Sequence, residues 1–198
     1  MNPVDGSVDG HKVMRQAHDY LLAAVRGVPA DGWGRATPCS AWTVRQVLNH
    51  ARLDQLGLVA QIVEVAPDGD PFEPVDALGP DPVGELERVL ATAQAGWASV
   101  GPDAEDVPTP FGPVPGWLGM AAAALDAGVH AWDIARATGQ DLPLTDELAA
   151  GLQVPADRFV DFVRDTFQKY APAVPVSGQA GAAARLLAFT GRDPEWTP

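Results

Sequence analysis

Cysteine is almost missing from this chain. Its 198 residues include one, Cys39, so no intrachain disulfide can form and a reducing interior suits the sequence. Positive charge is scarce as well. Lys and Arg number 13 against 26 Asp and Glu, for a formal net charge of −13. Nucleic-acid backbones and anionic lipid surfaces are held by clustered cations, so neither is an expected partner. Long apolar runs are lacking too. The longest weakly polar stretch, FGPVPGWLGMAAAAL (111–125), is short and broken by two prolines, which excludes a membrane span. The opening residues MNPVDGSVDGHK lack the basic and apolar regions of a secretory signal. Alternating strand patterns, internal repeats, a P-loop and a Gly-rich dinucleotide fingerprint are likewise missing. These absences lead to the expectation of a soluble cytoplasmic protein. Its partner would be a small-molecule substrate, with homodimerisation left open.

What is present is helical periodicity. Hydrophobic residues make up 46% of the chain, enough for a sizeable core. Val13, Ala17, Leu21, Ala24 and Val28 mark a first helix over about 10–27, stopped near Gly27 and Pro29. A loop follows at 29–41. Ser40 or Thr43 caps the second helix, and Thr43 with Gln46 has capping-box spacing. That helix runs to about residue 65, with Val44, Val47, Leu48, Ala51, Leu58 and Ile62 on one side. A Pro- and Asp-rich connector (67–82) leads to a third helix at about 83–99. Prolines recur through 101–116 and forbid helix there. A fourth helix spans about 117–138 and ends at Gly139. Shorter pieces are expected at about 145–152, 155–169 and 179–191. The pattern predicts one all-α domain over 1–198, a bundle of four long helices whose two long connectors allow crossovers.

The fourth helix carries an unusual polar strip. Asp126, His130 and Asp133 fall within an arc of roughly 60° at about 100° per residue. Leu118, Ala121, Leu125, Val129 and Trp132 form the neighbouring apolar stripe, so the strip faces another helix. A buried carboxylate is retained only when paired, protonated or metal-bound. Two readings follow from the spacing. One is a hydrogen-bonded His–Asp pair that locks the bundle. The other is a metal site of the kind bundles build from facing helices. His50, on the flank of the second helix's apolar stripe in VRQVLNHARLDQ, is the obvious third ligand, and Asp54 lies one turn beyond it. Zinc, nickel or iron(II) suits such a nitrogen and oxygen set, and three protein ligands leave a position open. Of the other histidines, His18 can approach the interior from mid-helix, whereas His11 is expected in solvent.

Three stretches resemble a known family. TPCSAWTVRQVLNH (37–50), DAGVHAWDIARATGQ (126–140) and the tail RLLAFTGRDPEW (185–196) are similar to the DinB-like metal-binding family. They are closest to its branch related to the N-terminal domain of mycothiol-dependent maleylpyruvate isomerase. The resemblance covers about residues 10–196. It implies a four-helix bundle of up-up-down-down order with short additional C-terminal helices. It also implies a divalent metal, zinc or nickel, held by His50, Asp126 and His130. In the isomerase branch the acid is often Glu, one methylene longer than Asp. Related enzymes use the metal to activate a small thiol such as mycothiol for isomerisation or transfer. A bundle that binds metal or a small ligand without turnover is the alternative, as is a biosynthetic enzyme that uses the pocket without metal.

The remaining candidates receive more modest expectations. Cys39 precedes a helix N-terminus, where a thiolate is favoured, but no histidine neighbours it in sequence, and the resemblance implies that its TPC segment is a loop anchor. Trp42 and Trp132 read as core packing. Asp133 reads either as an anchor bonded to the backbone or as a residue that orients a ligand imidazole through its free N–H. Arg45 and Arg136 read as solvated surface, and the Pro-rich segment 107–116 either lines the site mouth or simply connects helices.

Overall fold

The computed structural model describes residues 7–65, 67–101, 103–110 and 112–198. Six helices make up its regular structure: α1 (Gly10–Arg26), α2 (Val44–Val63), α3 (Pro82–Ala98), α4 (Gly116–Ala137), α5 (Asp146–Phe167) and α6 (Ala182–Phe189). The described residues contain no strand, only two isolated bridges, Ala36 with Thr43 and Val107 with Val114. None of their helices is long and apolar enough to cross a membrane.

The first three helices start where the sequence offers a cap. The Asp9 side chain accepts from Lys12 N–H at 2.9 Å, and the Asp81 side chain accepts from Gly84 N–H at 3.0 Å with Pro82 in the first turn. At α2, Gln46 Oε1 accepts from the Thr43 backbone N–H at 3.0 Å, one half of the expected capping box.

The bundle is the expected all-α, DinB-like arrangement, built around α4. Eighteen of the 22 residues of α4 are buried, because α1, α2 and α5 cover it from three sides. Its Ala and Gly content permits that approach. A Cβ on Gly128 would sit 2.5 Å from Leu152 Cδ1 of α5, so any larger residue there would have to displace that side chain. The main core joins Leu21 and Val25 of α1, Val47 and Leu48 of α2, Leu86 and Trp97 of α3, and Ile134 of α4.

Helix directions differ from the expected up-up-down-down order. Gly10 lies against Trp117 and Gly27 against Gln140, so α1 and α4 run the same way. His50 meets Asp126 while Gln55 meets Ala123, so α2 opposes α4. Arg52 pairs with Glu85 while Gly96 packs on Val59 and Val63, so α3 runs with α2. The order is therefore up-down-down-up, with a single long crossover. The connector after α2 makes it, running back along that helix. Gly69 lies beside Leu53, and Asn49 Nδ2 donates to Val75 O at 2.8 Å and to Ala77 O at 2.7 Å. The sequence has two long connectors, and their lengths do not say which one crosses over.

The C-terminal helices also depart from expectation. The pieces at 145–152 and 155–169 are one 22-residue helix that continues through Pro155. A proline inside a helix costs about 3 kcal/mol, which packing can offset. Leu148 and Leu152 before it, and Ala156 and Val160 after it, all bury in the same core. The last helix is shorter than 179–191. Asp146 Oδ1 accepts from Ala183 N–H at 2.9 Å and fixes its start at Ala182, and the chain turns at Gly191 with φ +80°.

Candidate metal centre

A cavity of about 320 Å³ opens between α2, α4 and α5. His50 and Asp54 line it from α2, and Leu125, Asp126 and His130 from α4. Trp42 and Cys39 reach it from the loop before α2, and Phe72 from the crossover. Phe159 and Val163 of α5, then Gln168, Lys169, Tyr170 and Arg192, close the other side.

The three residues singled out as ligands meet at its wall. One ligand atom from each of His50, Asp126 and His130 lies within 4.8 Å of the others. His50 Nε2 is 3.1 Å and His130 Nε2 is 3.4 Å from the same oxygen, Asp126 Oδ1. All three side chains are nearly buried, at 7–12% exposure, yet border the cavity.

The outer nitrogens of both imidazoles are pinned. His50 Nδ1 faces Pro71 O at 2.7 Å, and a carbonyl only accepts, so Nδ1 carries the proton and Nε2 presents its lone pair when the ring is neutral. His130 Nδ1 faces Asp133 Oδ2 at 2.9 Å. Asp133, fully buried, is in turn gripped by Arg192, whose Nη2 donates to Oδ2 at 3.1 Å while Nη1 donates to Thr190 O at 2.8 Å. Both free Nε2 atoms thus point inward, toward Asp126. This is the arrangement that metal-binding histidines adopt, with the second nitrogen fixed by a carbonyl or carboxylate.

The electrostatics follow from burial opposed by pairing. Burial disfavours charge on His50, but the adjacent Asp126 carboxylate outweighs it and raises the imidazole to about 9. Burial dominates at His130 and lowers its pKa, against the pull of Asp126. Burial would raise Asp126 and Asp133. The His130 and His50 charges hold Asp126 below the ordinary carboxylate value, and Arg192 does the same for Asp133. At Asp54 the nearby His50 charge is outweighed. Burial and the charge of Asp126 push it up to about 7.

The other candidates fall as follows. Asp133 anchors the His130 imidazole at Nδ1. His18 is interior, 1% exposed and bonded to Gln55, while His11 is half-buried and does not line the cavity. Trp132 is core, as expected. Trp42 is not: it is half-buried, lines the cavity and stacks on His50 with ring centroids 4.6 Å apart. Its place at the end of the Cys39 loop, rather than on a helix, frees its indole to lie over the imidazole. Cys39 borders the cavity too, but burial raises its thiol to about 12, which leaves no thiolate at neutral pH. Arg45 pairs with Asp76 at 2.7 Å and Arg136 donates to Trp196 O, so neither faces the cavity. No described residue of 107–116 lines it; Val107 and Val114 pair with each other instead. Sequence reasoning missed Arg192, Gln55, Tyr170 and Phe72. They come from the tail, a helix interior and the irregular segments, where no periodicity marks an inward-facing residue.

A helical bundle whose second and fourth helices bring two histidines onto one carboxylate, at the wall of an open cavity, defines a class of fold and site. Residues 14–135 match the family described as the mycothiol maleylpyruvate isomerase N-terminal domain, and the chain belongs to that family. Two uncharacterised proteins of Mycobacterium tuberculosis, from strains CDC 1551 / Oshkosh and ATCC 25618 / H37Rv, are each 32% identical over 181 residues, 90% of this chain and 94% of theirs. Crystal structures of the mycothiol-dependent maleylpyruvate isomerase and of a histidine-to-alanine mutant share the fold. Their TM-scores are 0.53 and 0.55, at 14% identity over 72% of this chain. The chain spans 65% of the length of that isomerase.

Proposed function

We propose that this chain is a metal-dependent enzyme that works with a small thiol of the mycothiol type, in transfer or isomerisation. One divalent ion, zinc or nickel, would be held by His50, Asp126 and His130. The observation that carries this reading is the convergence of two pinned imidazoles, through their Nε2 atoms, on Asp126 Oδ1 at the edge of a cavity. Two histidines and a carboxylate suit such an ion, and the cavity leaves room for a further ligand. Family membership supports the thiol, since the solved relative is described as mycothiol-dependent.

When bound, the ion would supply a Lewis acid that favours the deprotonated form of a thiol near neutral pH. The rest of the work falls to the chain's own residues. Pro71 O and Asp133 orient the two imidazoles. Trp42 and Phe72 wall the cavity with apolar rings and exclude water. Asp54 lines the same cavity with a carboxyl that burial and the charge of Asp126 push up, and is placed there to take or give a proton. The substrate of the solved relative is not carried over to this chain.

One feature favours the reading of a ligand-binding bundle without turnover. Asp126 Oδ1 already faces both imidazoles and Oδ2 faces Gln55 Nε2 at 3.5 Å, so the cluster closes on itself. Cobalt substitution tests the thiol on which the enzyme reading depends. A thiol bound at the ion gives a sulfur-to-metal charge-transfer band and releases a proton on binding. The enzyme reading expects that band with mycothiol in the native protein and its loss in His130→Ala. A cobalt spectrum that no small thiol changes would overturn it.

A further inference from the structure

A single hydrogen-bonded chain threads all four bundle helices and ends on Asp126. It starts at Gln94 of α3, whose Nε2 lies 3.1 Å from His18 Nδ1 on α1. His18 Nε2 lies 2.8 Å from Gln55 Oε1 on α2. Gln55 Nε2 donates to Ala123 O of α4 at 2.9 Å and points its second proton at Asp126 Oδ2, 3.5 Å away. Gln55 is 0% exposed and His18 is 1% exposed, so water does not complete these bonds.

The direction of this chain is fixed by one carbonyl. Ala123 O only accepts, so the Gln55 atom facing it is the amide nitrogen. Its oxygen must then accept, which places the His18 proton on Nε2. His18 Nδ1 is left as an acceptor, and the group facing it is the Gln94 amide nitrogen. Each bond in the chain thus runs from a donor to an acceptor. The arrangement requires a neutral His18, and burial lowers its pKa accordingly.

An apolar core would be simpler to build here. Half-satisfied polar groups in the interior are costly, so a polar chain whose middle members, His18 and Gln55, are buried invites a role at its end. That end is the carboxylate whose other oxygen faces His50 and His130. We propose that Gln55, held in turn by His18 and Gln94, is a positioning residue. It occupies Asp126 Oδ2 and turns Oδ1 alone toward the imidazoles, so that Asp126 binds an ion through one oxygen. The inference rests on the metal reading above. It adds that the geometry of the ion is set from the far side of the bundle.

The test compares cobalt and zinc affinity in the native chain and in Gln55→Met, which keeps the side chain's length and removes its polar atoms. Ligand-orienting partners typically control about 10- to 100-fold in metal affinity. The expected result is a loss of that size, an altered cobalt visible spectrum as the freed carboxylate turns both oxygens to the ion, and unchanged helical content by circular dichroism. A merely structural role would lower the melting temperature and leave the cobalt spectrum of the folded protein as it was. Native protein that binds cobalt, with Gln55→Met matching it in affinity and spectrum, would overturn the inference and spare the metal reading. Native protein that binds no cobalt would sink both. Should Gln55→Met fail to fold, nitrogen NMR of His18 in the native chain decides. A neutral ring protonated on Nε2 across pH 6–8 supports the chain's direction, and a proton on Nδ1 or a charged ring overturns it.

Discussion

Replacing Arg192 with methionine removes the only cation that faces Asp133 at close range among the described residues. The pair is deeply buried, with side-chain exposures of 7% and 0%. Breaking one side of such a pair leaves an uncompensated charge and costs about 3–5 kcal/mol. Domains of this kind are stable by about 5–15 kcal/mol in total, so the loss is a large part of the whole. With a urea m-value of about 2 kcal/mol per molar, the unfolding midpoint should fall by roughly 2 M. The pH dependence has a definite sign. Burial would raise the Asp133 pKa, and Arg192 lowers it below 3.8. A depressed carboxyl contributes its stability above the unfolded value and loses it as pH falls through the folded one. Without Arg192 the pKa moves up instead. The deficit of Arg192→Met is therefore largest near neutrality and shrinks as the pH is lowered. Adding Asp133→Asn should recover part of the loss, because the orphaned charge goes with it. A midpoint shift below about 0.5 M at pH 7, or a deficit that grows in acid, would refute the reasoning.

Three further outcomes are expected. In metal-free protein the His50–Asp126 pair stabilises the fold fully below pH 6.5, and that contribution is lost as pH rises through about 9, where His50 gives up its proton; urea unfolding at pH 6, 8 and 10 should show the decline. Cys39, raised to about 12, should resist iodoacetamide at pH 8 in the folded protein and react readily in urea; fast labelling of the native chain would contradict the raised thiol. Trp42 stacks on His50, so its fluorescence should change as metal binds, and the change should vanish in Trp42→Phe although the metal still binds; an unaltered signal in that variant would assign the response to another tryptophan.

Most of the framework was legible in the sequence because it rests on local rules. The four long helices follow from their apolar spacing, and the Thr43 and Gln46 pattern located the start of α2. Asp126, His130 and Asp133 could be placed on one arc because they share a helix. His50 needed a non-local pairing, α2 against α4, which its place on the flank of the α2 stripe and the family resemblance both suggested and the fold brings together. What stayed hidden depends on tertiary packing. Pro155 reads as a break, and only burial of Leu148, Leu152, Ala156 and Val160 on one core carries the helix across it. Connector length allowed two crossovers, and only the bonds of Asn49 and His50 to the 71–77 segment show which was made. Arg192 sits after a glycine in an irregular tail. Nothing in its neighbours signals that it reaches Asp133, 59 residues earlier.

The central claim is that His50, Asp126 and His130 hold one divalent ion. Titration of zinc or nickel into metal-stripped protein, followed by calorimetry, tests it most directly. The account predicts one tight site per chain, with release of about one proton at pH 7 as the ion displaces the proton held on His50. Alanine at any of the three positions should abolish that site while helical content is retained. Native protein that binds neither ion more tightly than the three alanine variants do would contradict it.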